Sequence, residues 1–132
     1  MKNALVTGGS GGIGAAICRR LAADGCHVYI HAHHGLQAAQ TLADAIGADG
    51  GSAEVLAFDV TDSAAVAAVL TPLVERQPIQ ILVNNAGIHD DAVFPGMRAE
   101  QWHRVMDVSV NGFFNVTQPL ICLLYTSPSP RD

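Results

Sequence analysis

The chain has 132 residues, 49% apolar and 5% aromatic, with a formal net charge of −5, which makes it one domain able to bury a core. The acidic balance and the lack of any basic run argue against nucleic acid and anionic membrane as partners. No apolar stretch reaches membrane-spanning length, and Met1-Lys2 leaves no room for a signal peptide before the first strand, so a cytoplasmic protein is expected.

Ala4, Leu5 and Val6 read as a strand buried on both faces. The strand enters a loop with five glycines in the seven residues from Gly8 to Gly14. From Ile13 the pattern turns helical, with Ala16, Ile17, Leu21 and Ala22 on one stripe. Strand, glycine loop and helix start together make a phosphate cradle, because the first helical N–H groups lack partners and carry partial positive charge. Gly9-x-Gly11-x-x-Gly14 fits the dinucleotide fingerprint. A Walker-type loop is excluded, since it needs a Lys after its last Gly and Lys2 is the only lysine.

The first helix is expected to run to about Ala23, where Asp24-Gly25 ends it, and His27–Ala32 to form the second strand. A helix over Leu36–Ile46, a third strand over Ala53–Phe58 and a helix capped by Thr61 or Asp62 follow. That helix ends near Gln77, before Pro78, and the fourth strand spans Ile79–Val83. A loop over residues 88–97 precedes a last helix from about Ala99 to Leu120 or Ile121. This alternation predicts an α/β fold, a doubly wound parallel sheet of the Rossmann type, with ligands beyond the carboxyl ends of its strands. Cys18, Cys26 and Cys122 contain no Cys-x-x-Cys pair and are expected to be reduced and mostly buried.

Residues 122–132 break the pattern, with two prolines and no structural partner in view. They are expected to be disordered or non-native, resembling translated sequencing-adapter read-through joined to a truncated gene. Residues 1–121 would then be the dinucleotide-binding domain, incomplete at its C-terminus.

Three motifs together resemble the short-chain dehydrogenase/reductase family: Thr7-Gly8-x-x-x-Gly12-x-Gly14, Asp59-Val60 and Asn84-Asn85-Ala86-Gly87, each following a strand. Within it, the stretch from Asp91 through Trp102 to Gln118 is most similar to 3-oxoacyl-(acyl-carrier-protein) reductases of fatty acid biosynthesis. The resemblance implies that Gly8, Ser10, Gly11, Gly12, Ile13 and Gly14 hold the adenosine ribose and pyrophosphate. It implies that Asp59 accepts from the adenine amino group with Val60 against the ring, and that Asn84, Ala86 and Gly87 line the second ribose.

Cofactor choice turns on the end of the second strand, where an acid would bind the NAD ribose and repel the 2′-phosphate of NADP. Here the segment is His31-Ala32-His33-His34, with no acid. His31 and His33 can bond a phosphate, which favours NADP over NAD. Against this, many NADP-using relatives carry Arg where this chain has Gly11. No carboxylate or Cys completes a ligand set with the histidines, so no metal site is expected.

The resemblance further implies hydride transfer between nicotinamide and a carbonyl carbon, with proton transfer by a Tyr whose pKa a nearby Lys lowers. Those Tyr and Lys positions, and the substrate-orienting Ser, lie beyond residue 121, so the fragment is expected to be inactive. The family's water-holding Asn falls on Ser109, and Asn111 two residues later is turned by roughly 200° on an α-helix. The parent is expected to be a homo-tetrameric reductase of a small-molecule or carrier-bound acyl substrate. A non-catalytic dinucleotide-binding module is the alternative from another class. A methyltransferase is less well matched, since it normally wants an acid ending strand two. Exposed apolar surface is expected on the last helix at Val105, Val108, Phe113 and Val116.

Overall fold

The computed structural model describes residues 1–86, 96 and 98–126, with 121–126 described as helical backbone. Strands β1 (Asn3–Val6), β2 (His27–Ala32), β3 (Ser52–Ala57) and β4 (Ile81–Val83) alternate with helices α1 (Gly12–Ala23), α2 (Leu36–Ala48) and α3 (Ser63–Arg76). Helix α4 (Ala99–Met106) then runs through a π-helical turn (Asp107–Asn111) into α5 (Gly112–Thr126). All three strand pairings are parallel, in the order β3-β2-β1-β4. The chain steps outward from β1 to β3, then returns through α3 to place β4 on the other side of β1. Connections leaving β1 and β4 therefore diverge, and a crevice opens at their carboxyl ends.

Side chains alternate across the sheet, and both faces are covered. Ala4, Val6, Val28 and Ile30 pack with Cys18 of α1 and Ala39, Leu42, Ala43 and Ile46 of α2. Leu5 and Tyr29 point the other way, onto Val66, Leu70 and Leu73 of α3 and Val116 and Leu120 of α5. Coverage on both faces is why β1 and β2 read as near-continuous apolar runs. Leu70 is fully buried, which is worth about 1.5–3 kcal/mol for a side chain of that size. Helix α3 starts as expected, with the Asp62 carboxylate accepting from the Ala65 N–H at 3.1 Å.

Several boundaries move. Strand β3 begins and ends one residue early, although the Phe58 N–H still donates to the Ala32 carbonyl at 3.3 Å. Strand β4 starts at Ile81, because the preceding stretch is bound by side chains: Asn3 Nδ2 donates to the Pro78 carbonyl and the Asn3 N–H to Gln80 Oε1. Helix α2 runs through Gly47, and the chain turns at Gly50, whose φ is +86°. Helix α5 passes the expected Ile121 boundary to reach Thr126, with no Gly or Pro between Leu120 and Pro128 to stop it. Residues 127–132 lie outside the described residues.

The exposed apolar face also differs from expectation. Val116 is fully buried in the core, and Val105 and Val108 are half-buried. The outward stripe is Trp102, Met106, Val110, Phe113 and Phe114. Reading α4 and α5 as one continuous α-helix misses the π turn, whose extra residue shifts the helical phase. Cys18 and Cys26 are buried free thiols, and burial pushes the Cys18 thiol up to about 11. Among the described residues, no helix is long and apolar enough to cross a membrane.

Candidate functional site

The glycine loop is anchored from both neighbouring strands. Buried Thr7 donates its N–H to the Val83 carbonyl at 3.0 Å, and its Oγ1 accepts from the N–H groups of Asn85 and Ala86, each at 3.0 Å. Asn85 Nδ2 donates to the Gly8 carbonyl at 3.1 Å. On the β2 side, the Gly9 N–H donates to the His31 carbonyl and the Gly8 N–H to His31 Nδ1, both at 2.9 Å. Gly8 sits at φ +62°, a conformation that favours glycine. A Cβ on Gly14 would land on the Gly8 carbonyl oxygen and lie 2.8 Å from Asn85 Nδ2, so only glycine fits.

Helix α1 begins with the Ala15 N–H donating to the Gly11 carbonyl at 2.6 Å. The amides of Gly12, Ile13 and Gly14 precede that bond and have no intrahelical acceptor. No acidic residue occupies the first turn. Orphan donors, the helix dipole and the lack of competing carboxylates make this end an anion cradle.

The end of β3 supplies an ordered carboxylate. Asp59 Oδ1 accepts from Thr61 Oγ1 at 2.7 Å and from the Thr61 N–H at 3.0 Å. These bonds, the hydroxyl foremost, hold the Asp59 carboxyl below the usual carboxylate range against the opposing effect of burial. Asp59 Oδ2 faces His33 Nε2 at 3.7 Å across the mouth of the site. Val60 is buried, with the Asn115 side chain donating to its carbonyl at 2.9 Å, and a Cβ on Gly112 would meet its Cγ2 at 2.7 Å. The side chain packs on α5 while still lining the site.

The β2 histidines divide. His33 and His34 stand at the mouth, their rings 4.0 Å apart. His31 is 3% exposed and has both ring nitrogens engaged, Nδ1 by the Gly8 N–H and Nε2 by the Phe58 carbonyl at 2.7 Å. This corrects the expectation that His31 bonds a phosphate: it stands in the wall of the cavity with both ring nitrogens already engaged by the protein.

At the end of β4, Asn84 Nδ2 donates to Thr117 Oγ1 of α5 at 3.1 Å. Asn84, Ala86, Thr7 and Ser109 line a small cavity of about 70 Å³ under the π turn. Ser109 therefore faces the ends of β1 and β4, whereas Asn111 donates from Nδ2 to Asp107 Oδ1 at 2.8 Å on the exposed side. Gly87 lies outside the described residues.

Gly8, Ser10, Gly11, Gly12, Ile13, Gly14, His31, His33, Asp59, Val60 and Ala86 all line one cavity of about 750 Å³, sited at the crevice beside β1. Sequence reasoning missed Asn85 and Thr61, which brace the site, and Arg104, Asp107 and Val108, which wall it from the α4 side. Asn85 sat within a motif already in view, but nothing local pointed to Arg104. The arrangement offers amide donors to an anion, a carboxylate acceptor to an amino group and an apolar wall at Val60. Tyr29 does not line this cavity: it is buried in β2 on the face packed against α3 and α5, and burial, then Glu54, raises its pKa. Among the described residues, no group of three His, Cys, Asp or Glu side chains could hold a metal ion.

Comparison with known proteins agrees with this geometry. The short chain dehydrogenase family profile matches residues 2–129. An acetoacetyl-CoA reductase of Allochromatium vinosum is 44% identical over 119 residues, covering 87% of this chain and 48% of that protein. A 3-oxoacyl-(acyl-carrier-protein) reductase of Aggregatibacter actinomycetemcomitans is 38% identical over 118 residues, covering 89% and 49%. A variant of an actinorhodin polyketide ketoreductase, solved with NADPH, superposes with a TM-score of 0.83 at 32% identity, over 91% of this chain and 46% of that one. The chain thus spans about half the length of the curated relatives it matches. On its fold, its motifs and these matches, the chain belongs to the short-chain dehydrogenase/reductase family.

Proposed function

We propose that the chain is the cofactor-binding half of an NADP-dependent reductase that converts a 3-oxoacyl thioester, on acyl-carrier protein or coenzyme A, to the 3-hydroxyacyl product. NAD is the alternative cofactor and another carbonyl compound the alternative substrate. A non-catalytic NAD(P)-binding module is the reading from a different class. The observation that carries the proposal is the cavity beside β1, where the α1 amides, Asp59 and His33 converge. The names of the relatives support the choice of substrate. The residues fit a dinucleotide: the start of α1 lines the cavity, and the tight loop that presents it leaves no room for a Cβ at positions 8 and 14.

When bound, the nicotinamide would supply the hydride. The amides of Gly12, Ile13 and Gly14, with Gly8, Ser10 and Gly11, would hold the pyrophosphate and adenosine ribose. Asp59, its carboxylate oriented by Thr61, would accept from the adenine amino group, with Val60 as the apolar wall. Asn84, Ala86 and Gly87 would line the second ribose. His33 would face a 2′-phosphate, with no β2 carboxylate to repel it. Proton transfer to the substrate oxygen needs a Tyr of lowered pKa, which the family places beyond residue 121. On this reading the chain binds cofactor without turnover, and Ser109 stands at the water-holding position with a hydroxyl. The parent would be a cytoplasmic homo-tetramer.

The test is to sequence the locus through and past the codon for Ile121, then assay the full-length product with acetoacetyl-CoA and NADPH. A frame reaching Ser and Tyr-x-x-x-Lys, with NADPH oxidised on adding substrate, is expected. A natural stop after Asp132 would overturn the enzyme reading in favour of the binding module.

A further inference from the structure

One imidazole joins three strand ends. A backbone N–H can only donate, so His31 Nδ1 must accept from Gly8; a carbonyl can only accept, so Nε2 must carry the proton donated to Phe58. The two partners fix a single species, the neutral Nε2–H tautomer. The ring also lies on Phe58, with centroids 4.3 Å apart, and the His31 carbonyl holds the Gly9 N–H. Removing the ring would leave the Gly8 N–H and the Phe58 carbonyl without these partners, at the loop and at the residue before Asp59.

We propose that His31 is a positioning residue for the dinucleotide, its neutral ring pinning the glycine loop at Gly8 to the end of β3 at Phe58. The proposal rests on the cofactor reading above. A second proton on the ring would set Nδ1–H against the Gly8 N–H, two donors face to face, so the bond must break. The loop then loses its tether on the β2 side and retains only the backbone bond from Gly9 there. Several groups bear on that proton. Burial disfavours it most, the Phe58 carbonyl favours it, His33 opposes it and Asp59 favours it. Cys18 lies under the loop, its thiol donating to the Gly9 carbonyl at 3.9 Å, and Arg104 of α4 and Asp107 of the π turn wall the cavity. The net direction is down from the ordinary histidine value of 6.5. The tether is therefore complete above 6.5 and is lost as pH falls through the lower folded value.

The experiment uses the uniformly 15N-labelled chain, with imidazole nitrogens and the Gly8 amide followed from pH 8 to 5, and NADPH affinity measured over the same range. Expected are an Nε2–H tautomer at pH 8, a Gly8 amide shift that follows the His31 titration, and weaker NADPH binding in acid while the fold persists. His31→Leu should weaken NADPH binding about three- to tenfold at pH 8, the worth of one lost hydrogen bond. His31→Gln, whose carbonyl oxygen can accept but does not titrate, should flatten the pH profile. An Nδ1–H tautomer, a Gly8 amide indifferent to His31, or a His31→Gln profile matching the unmodified chain would each overturn the proposal. The nitrogen spectra decide this even where a variant fails to fold. If Gly8 follows His31 but NADPH binds at no pH, the cofactor reading falls and the positioning role with it, while the hydrogen bond stands.

Discussion

Replacing Gly14 with alanine sets two effects of similar size against each other. Alanine favours a helix over glycine by about 1 kcal/mol, and Gly14 is the third residue of α1. Against that, the new Cβ would fall on the Gly8 carbonyl oxygen, 2.8 Å from Asn85 Nδ2 and 2.9 Å from Gly9 Cα. Two of the three obstacles are backbone and cannot swing aside, and forcing a methyl into such space costs about 1–3 kcal/mol. The first turn of a helix gains less from propensity than its interior, so the clash wins. The expected net loss is about 1–2 kcal/mol, a factor of roughly 5–30 in the folded ratio. Gly47→Ala is the control in the last turn of α2, since its Cβ would meet nothing within 4 Å, and it should gain up to about 0.5 kcal/mol, less than a mid-helix site. Urea unfolding followed by circular dichroism at pH 7.5 reads both. A Gly14→Ala chain as stable as its parent, or both variants shifting in the same direction, would refute the reasoning.

Four further outcomes follow from the same geometry. His33→Asp puts an acid at the mouth of the site and should weaken NADPH relative to NADH by about tenfold or more, read by parallel fluorescence titrations. Thr61→Ala removes the strongest of the bonds that lower the Asp59 pKa, so 13C carboxyl titration should show Asp59 taking up its proton at higher pH. In the unmodified chain the Asp59 contribution to stability is complete above its ordinary 3.8 and is lost as pH falls through the lower folded value; Thr61→Ala should narrow that window. Asp62→Ala deletes the α3 cap and should cost about 1 kcal/mol in urea unfolding. Phe114→Glu, in the outward stripe with Trp102 and Met106, should reduce self-association in sedimentation velocity without lowering the melting temperature.

The parts legible in the sequence are those whose chemistry is local. The glycines at 8 and 14 announce a backbone turned tightly under a helix start, and the cradle stands there. The apolar runs of β1 and β2 imply a sheet covered on both faces, and α1, α2, α3 and α5 cover it. Asp59 was legible by its place after a strand, although its partner Thr61, two residues on, was read only as a cap. What escaped depends on contacts remote in sequence. His31 looks like His33 in the string, yet its neighbours across the sheet make one a tether and the other a rim residue. The π turn leaves no mark in residues 107–111, so Phe113 is exposed as expected while Val116, three residues on, is buried in the core. Arg104 reaches the cavity only because the chain folds back to bring α4 to its rim, which no pattern within α4 records.

On the function proposed above, this chain holds a dinucleotide over β1, with its pyrophosphate at the start of α1. Titrating NADPH and NADH into the 15N-labelled chain at pH 7.5, with calorimetry on the same samples, tests it most directly. Saturable one-to-one binding is expected, tighter for NADPH, with the largest amide shifts at Gly12, Ile13 and Gly14 and at Thr61 beside Asp59. A folded chain whose glycine-loop amides do not move at saturating NADPH or NADH would contradict it.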